Sequence, residues 1–377
     1  MTKWEEKRLG EVAPFIYGKA LTAEKRKYGK YKVFSSAGVC GFSDNALAKR
    51  GIIIGRKGSV GTVFLSESPF YCIDTAFYID NVDDCCDMKF LFYYMTLLNL
   101  ESYNNDAAVP GLNRNLAHKL KIKIPDLPTQ QRIADILSTY DDLIENNNKR
   151  IALLEKAAQE LYKEWFVRFR FPGHETTRFV NGLPEGWEVK KLADYGRIET
   201  GKTPSKEEPE NYGDEIMFIK TPDMHGKTFV IETEERLSKR GHDSQPKKLL
   251  PPNSIMVTCI GTGGVVAINA EQGHTNQQIN SIILNDMTQL EWLYFTCKSL
   301  KETIELFGAT GATMTNLSKG KFEKLKVLDP GKPLIECYHK KTSDLLSMIK
   351  KLMYQNKNLA TQRDLLLPRL MSGKLEV

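Results

Sequence analysis

The longest unbroken pattern in the chain runs from residue 129 to residue 166, a stretch with neither glycine nor proline. Apolar side chains recur at Ile133, Leu137, Tyr140, Ile144, Ile151, Leu154, Ala158, Leu161 and Trp165, with Asn147 filling the one gap. The steps alternate between four and three, the seam of a helix that buries one stripe against another helix. Such a helix would be roughly 57 Å long. A second seam lies 205 residues further on, at Leu345, Ile349, Leu352, Asn356, Leu359, Leu366 and Leu370. It predicts a helix over about 334–373, bent or frayed near Pro368 and stopped at Gly373. Two long seams in one chain suggest that the helices pack on each other, antiparallel about a two-fold. Asn147 then faces Asn356 and Ile151 faces Leu352. A buried asparagine pair costs stability but fixes register; the alternative is that both asparagines are exposed.

Ahead of each long helix the pattern changes. Ile52-Ile53-Ile54, Val60-Gly61-Thr62-Val63-Phe64 and Thr75-Ala76-Phe77-Tyr78-Ile79 are short β-rich runs divided by glycine and serine. Ile216-Met217-Phe218-Ile219, Ser254-Ile255-Met256-Val257-Thr258 and Val265-Val266-Ala267-Ile268 repeat the theme. Each set is followed by an apolar stretch of helical character, 88–100 and 290–307. A polar, turn-rich linker runs from Phe171-Pro172-Gly173 to Asn181-Gly182-Leu183-Pro184.

The chain contains itself twice. Trp4-Glu5-Glu6-Lys7-Arg8-Leu9 recurs as Trp187-Glu188-Val189-Lys190-Lys191-Leu192, an offset of 183 that also carries Gly18-Lys19 onto Gly201-Lys202. Leu120-Lys121-Ile122-Lys123-Ile124-Pro125 recurs as Leu325-Lys326-Val327-Leu328-Asp329-Pro330, at an offset of 205. The anchors match while the interiors diverge, as expected of two readers that recognise different things. The expected class is α+β: two α/β globules, each followed by a long helix, the helices forming an antiparallel coiled coil with pseudo-two-fold symmetry. The divisions are 1–128, 129–167, a linker 168–183, 184–333 and 334–377.

With 377 residues, two domains are the natural expectation. No apolar run is long enough for a transmembrane helix, and Met1-Thr2-Lys3-Trp4-Glu5-Glu6 has no signal-peptide core, so a cytoplasmic protein is expected. The cysteines at 40, 72, 85, 86, 259, 297 and 337 form no Cys-x-x-Cys pair and read as free thiols. The histidines are scattered, so no zinc or other metal site is expected. A net charge of +6 leans toward a polyanionic partner.

Candidate chemistry sits in the turns. Gly196-Arg197-Ile198-Glu199-Thr200-Gly201-Lys202-Thr203 fits the phosphate-loop spacing, but Pro204 and Pro209 keep a helix from starting at the lysine. Gly55-Arg56-Lys57-Gly58-Ser59-Val60-Gly61 lies between β runs and offers close backbone approach plus two cations; Cys259-Ile260-Gly261-Thr262-Gly263-Gly264, preceded by Thr258, is its counterpart. A plain hairpin turn is the competing reading. Asp74-Thr75 and Thr275-Asn276-Gln277-Gln278 follow these turns, and Asn and Gln amides can read adenine edges; a solvated loop explains them equally. Gly18, Lys19, Gly201, Lys202 and Thr203 suit phosphate contact or a tight turn. Asn113-Arg114-Asn115 and Thr313-Met314-Thr315-Asn316 suit DNA contact or local capping, with capping favoured. Arg168 and Arg170, set among Phe166, Phe169 and Phe171, suit phosphate binding or docking of the linker. No methyltransferase motif, nuclease carboxylate cluster or nucleophilic triad is present; Asp223 after Pro222 stands alone.

Several stretches resemble the specificity subunits of type I restriction-modification systems. They are Leu112-Asn113-Arg114-Asn115-Leu116, Ile124-Pro125-Asp126-Leu127-Pro128-Thr129-Gln130-Gln131-Arg132-Ile133-Ala134-Asp135-Ile136-Leu137, Trp165-Phe166-Val167-Arg168-Phe169-Arg170-Phe171-Pro172-Gly173, Leu183-Pro184-Glu185-Gly186-Trp187 and Leu370-Met371-Ser372-Gly373. The second repeat departs from the pattern, since Pro333-Leu334-Ile335-Glu336-Cys337 has no Gln-Gln-Arg. The resemblance implies that each globule is a target recognition domain reading half of a split site in double-stranded DNA. The paired helices then act as a spacer, of a length suited to one to one and a half turns of DNA. It further implies two methyltransferase subunits, which use S-adenosylmethionine to methylate adenine, and restriction subunits driven by ATP with Mg²⁺. No cofactor is expected on this chain, and no catalysis. The rival readings are an assembly scaffold with degenerate recognition domains and a single-chain DNA methyltransferase or nuclease.

Overall fold

The two segments that anchor each repeat are hydrogen-bonded to one another in the computed structural model, which describes residues 4–103, 111–308 and 315–377. Glu5–Arg8 runs antiparallel to Lys121–Ile124, with Glu5 opposite Ile124 and Arg8 opposite Lys121. Glu188–Lys191 pairs in the same way with Lys326–Asp329, Glu188 opposite Asp329 and Lys191 opposite Lys326. The offsets of 183 and 205 therefore carry one clasp onto the other. Alternation sends Ile122 and Ile124 inward in the first clasp, and Val327 and Asp329 in the second. Asp329 carries a charge to that inner position. Burial works against its ionised form, but Lys190 Nζ at 2.6 Å, the Gly331 N–H and the Tyr195 hydroxyl outweigh it and hold the carboxyl below its ordinary value.

The chain forms two compact units, Met1–Ile144 with Asn358–Val377, and Glu145–Lys357. In the first, the strands Ile16–Tyr17, Ala76–Ile79, Gly51–Gly55 and Val63–Ser66 lie side by side in that order, with Gly38–Ser43, Tyr31–Ser35 and Phe70–Cys72 in a second sheet. Of the run at 60–64, only the end enters a strand, because Gly58 and Gly61 turn the chain first. The helix Met88–Leu97 and the short helix Arg114–His118 complete the unit's core.

In the second unit a five-stranded sheet runs Gly196–Thr200, Ile279–Leu284, Ile255–Thr258, Val266–Asn269, Phe229–Val230. A four-stranded sheet runs Tyr212–Gly213, Glu235–Leu237, Ile216–Ile219, Gly273–Thr275. The apolar stretch after 290 forms two helices, Leu290–Ser299 and Lys301–Gly308, rather than one. The linker forms a hairpin, Phe179–Val180 with Leu183–Pro184.

The long helices are Leu127–Tyr162, extended by a wider turn over Lys163–Val167, and Lys332–Met371. The second runs through Pro368 and ends just before Gly373, where the sequence places its stop. Pro368 removes one hydrogen bond in the last turn, and the helix continues to Met371 before Gly373 takes a left-handed φ of 69°. Each unit contains a stretch of both helices, packed antiparallel. Within the second unit Asn147 Nδ2 donates to Asn356 Oδ1 at 2.9 Å, Asn356 Nδ2 donates to Asn148 Oδ1 at 2.8 Å, and the Tyr338 hydroxyl donates to the Ala158 carbonyl at 2.9 Å. Within the first, Ile133 and Leu137 share a core with Leu367, Leu370 and Met371, and Arg363 pairs with Asp141.

The seam follows the predicted positions with three one-residue shifts. Tyr162, Leu346 and Leu367 are buried, while Leu161, Leu345 and Leu366 sit half-buried beside them. Ile144, Ile151, Leu154 and Leu359 are also half-buried, and Ile349 and Leu352 are fully inside. A helix of 3.6 residues per turn drifts off a seven-residue repeat, which moves the deepest position by one. No described helix is long and apolar enough to cross a membrane.

Candidate nucleic-acid interface

Each unit links two neighbouring strands of its sheet through a glycine turn, and the two turns share one backbone. Gly55 N–H donates to the Thr62 carbonyl and Gly61 N–H to the Gly55 carbonyl; Thr258 N–H donates to Val265 and Gly264 N–H to Thr258. The left-handed glycines correspond as well, Gly58 (φ 79°) with Gly261 (φ 80°), and Gly61 (φ 78°) with Gly264 (φ 78°). A Cβ at Gly61 would lie 2.7 Å from the backbone nitrogen of Glu101, and one at Gly264 2.9 Å from the Cα of Lys301. Both turns are fixed to neighbouring segments. Arg56 and Lys57 N–H groups donate to the Thr75 carbonyl, as Cys259 donates to Gln278; Leu112 donates to Arg56, as Leu317 does to Cys259. These bonds equate Arg56 with Cys259, Thr75 with Gln278, and Leu112 with Leu317.

A second shared device sets a lysine at the edge of each turn. Lys19 N–H donates to the Cys72 carbonyl and Lys202 N–H to Thr275. The preceding glycine is required, since a Cβ on Gly18 would stand 2.0 Å from the Ile73 carbonyl oxygen and one on Gly201 2.2 Å from that of Asn276. Both lysine side chains are exposed. The phosphate-loop spacing at 196–203 is thus a strand, Gly196–Thr200, followed by this tight crossing; no helix begins there.

The side chains on this common backbone differ. In the first unit the guanidinium of Arg56 lies 4.9 Å from the ring centre of Tyr17 and donates to the Asp74 carbonyl, while Arg114 lies 4.8 Å from the same ring. Lys57, Gly58, Ser59 and Asp74 are exposed. Thr75 is half-buried and its hydroxyl oxygen accepts from the Ser36 N–H. Asn113 caps the Arg114–His118 helix, its Oδ1 accepting from the N–H groups of Asn115 and Leu116.

In the second unit the counterparts of Asp74 and Thr75 are Gln277 and Gln278, which join an amide and hydroxyl network. The Thr203 hydroxyl donates to Gln277 Oε1, the Thr221 hydroxyl donates to Gln278 Oε1, and Asn276 Nδ2 donates to the same oxygen at 3.0 Å. Gln277 and Thr262 are exposed, Gln278 and Gly261 half-buried.

Several residues of the expected contact motifs lie inside. Thr258 is fully buried, its hydroxyl donating to the Thr262 carbonyl at 2.6 Å and accepting from the Val265 N–H; Gly201, Gly263, Thr275 and Asn276 are buried as well. They brace the turn and do not reach a ligand directly. Asn316 pairs with Ile260 in a strand and caps no helix; Thr313 and Met314 lie outside the described residues. Arg168 and Arg170 both pair with Glu164, and Phe166, Phe169 and Phe171 pack around Trp187, so this segment docks the linker. Asp223 accepts from the N–H groups of Lys220 and Glu234 and so organises a turn.

Sequence reasoning passed over one basic segment. Lys25, Arg26, Lys27, Lys30 and Lys32 surround Tyr28, which is 86% exposed, and Phe42 is exposed on the adjoining strand Gly38–Ser43. Cations interleaved with an exposed aromatic ring are a nucleic-acid signal that was available without the structure.

Comparison with known proteins agrees with this duplicated arrangement. The family model described as the type I restriction modification DNA specificity domain matches residues 1–156 and again 184–333. The HindI specificity subunit of Haemophilus influenzae is 34% identical over 327 residues, 71% of each protein. The MjaIX specificity subunit of Methanocaldococcus jannaschii is 26% identical over 340 residues, 86% of this chain and 78% of that one. The crystal structure of a type I S subunit from M. genitalium has the same fold, with a TM-score of 0.64 at 17% identity over 98% of this chain and 96% of that one. One family model matched at both repeats, over two globules that carry different side chains on the same turns, establishes that the chain belongs to the specificity-subunit family of type I restriction-modification systems.

Proposed function

We propose that each unit reads one half of a bipartite DNA site and that the chain itself catalyses nothing. Methylation, with S-adenosylmethionine, and ATP-driven cleavage, with Mg²⁺, belong to two methyltransferase subunits and to restriction subunits assembled on it. The observation that carries this reading is the pair of equivalent turns with unlike side chains. An exposed lysine recurs at the same edge of each, suited to phosphate, while the groups beside it differ: two arginines on a tyrosine ring in the first unit, a network of Thr203, Gln277 and Gln278 in the second.

The test is a map of N6-methyladenine after co-expressing the chain with the methyltransferase of its system, in a host lacking adenine methylation. A split, asymmetric motif that vanishes when the chain is omitted is the expected result. No methylation from a folded complex with an intact methyltransferase would favour a scaffold with degenerate readers. Methyl transfer by the purified chain alone would overturn the non-catalytic assignment.

A further inference from the structure

We propose that Arg56 and Arg114, held on the ring of Tyr17, read guanine in the half-site recognised by the first unit. This rests on the reading of the chain as a DNA specificity subunit and names what one of its readers recognises.

The first argument is geometric. Tyr17 is 44% exposed and stands edge-on to Phe77, with ring centres 4.9 Å apart. Arg56 lies over both rings, at 4.9 and 5.7 Å, and Arg114 over Tyr17 at 4.8 Å. Stacking fixes the plane of a guanidinium and leaves its N–H edge free to meet a planar, two-acceptor target. Arg56 uses one N–H on the Asp74 carbonyl, and the buried Nε of Arg114 has no hydrogen-bond partner. Among the described residues, neither arginine has a carboxylate within ion-pair distance. Two cations on one ring, with no ion-pair partner among the described residues, are arranged for something external. The O6 and N7 atoms of guanine present the bidentate acceptor pair that such a fork fits.

The second argument separates base from phosphate. The DNA backbone is the same in both half-sites, so contacts to it should recur in both units, as Lys19 and Lys202 do. Contacts that read sequence must differ. Strand pairing equates Tyr17 with Thr200 and Phe77 with Asn280, since Tyr17 lies opposite Phe77 and Thr200 opposite Asn280. Arg56 corresponds to Cys259 by the hydrogen bonds already described. Arg114 corresponds to Lys319, the first residue of the helix after Leu317, and Lys319 is paired with Glu323. All four members of the first unit's cluster are replaced. The cluster therefore behaves as base-reading machinery.

The test uses the full chain assembled with its methyltransferase. The methylated motif is mapped for wild type, Arg56→Ala, Arg114→Ala, and the charge-keeping Arg56→Lys and Arg114→Lys. Binding is then measured on duplexes in which each guanine of the wild-type motif is replaced by 7-deazaguanine, which lacks N7. The expected result is a half-site with at least one guanine whose 7-deaza replacement weakens wild-type binding about tenfold or more. The alanine variants should relax the motif at that position only. The lysine variants, with thermal midpoints near wild type, should keep the preference for guanine but bind it more weakly than wild type, because an ammonium lacks the planar fork. The other half-site should stay unchanged in every variant.

Three results would overturn the proposal while leaving the specificity-subunit reading intact: a wild-type motif in which no guanine depends on N7, equal weakening at all sequences with a shallower salt dependence, or no effect of any variant. Absence of any motif from the wild-type complex would instead remove the functional reading, and this proposal with it.

Discussion

A single hydroxyl or amide can serve the fold or the ligand, and the turn of the second unit shows which it serves. Thr258 satisfies both its donor and its acceptor inside the turn, and Asn276 ties down Gln278, so only Gln277 and Thr262 face outward fully. His274 is a more extreme case. It is fully buried, its Nε2 lies 3.0 Å from His242 Nδ1, and its Nδ1 has no partner. Burial, with His242 adding to it, pushes the ring down to about 4 from its ordinary 6.5. The folded form therefore binds fewer protons than the unfolded chain between those values, and stability rises with pH there. The contribution is complete above about 6.5 and is lost as pH falls toward about 4. Chemical denaturation of His274→Asn across this range should show a flatter pH profile than wild type; an unchanged slope would mean that the ring titrates normally.

Elements were legible where their signal is periodic. The seams announced both long helices and the facing asparagines; the repeated anchors announced a duplicated frame, but not that the two anchors of each half pair with one another. Less visible were features that depend on distant pairing. Nothing in the local pattern says that residues 17, 56 and 114 meet at one ring, or that a polar turn residue such as Thr258 is enclosed by strands from elsewhere. The single-residue seam shifts at Tyr162, Leu346 and Leu367 likewise arise from helical drift that a fixed repeat ignores. The asparagine pair yields a prediction for the helices themselves. Asn147→Leu alone leaves the amide of Asn356 short of a partner and should cost about 1–3 kcal/mol in urea unfolding. Asn147→Leu combined with Asn356→Leu should recover most of that loss, at the expense of register specificity. Additive losses in the double variant would mean that the two side chains do not interact.

For the molecule as a whole, affinity and sequence choice are assigned to different groups. Lys19 and Lys202 recur at one place in each unit, so Lys19→Ala and Lys202→Ala should each weaken DNA binding by the complex uniformly across sequences. Each should also lower the slope of log affinity against log salt by about one. A change of motif on either substitution would move that lysine to the base-reading group.

The division of the chain between its units also bears on how it is made. Residues Glu145–Lys357 form an unbroken stretch, whereas the other unit needs Asn358–Val377 as well as Met1–Ile144. Leu370 and Met371 lie in that unit's core, and Gly373 lies so close to the Trp4 indole that a Cβ there would be 2.8 Å from its Nε1. During synthesis on the ribosome, then, the segment translated second is the first that can close completely. The globule translated first waits, with an open groove beside Ile133 and Leu137, until residues 358–377 emerge.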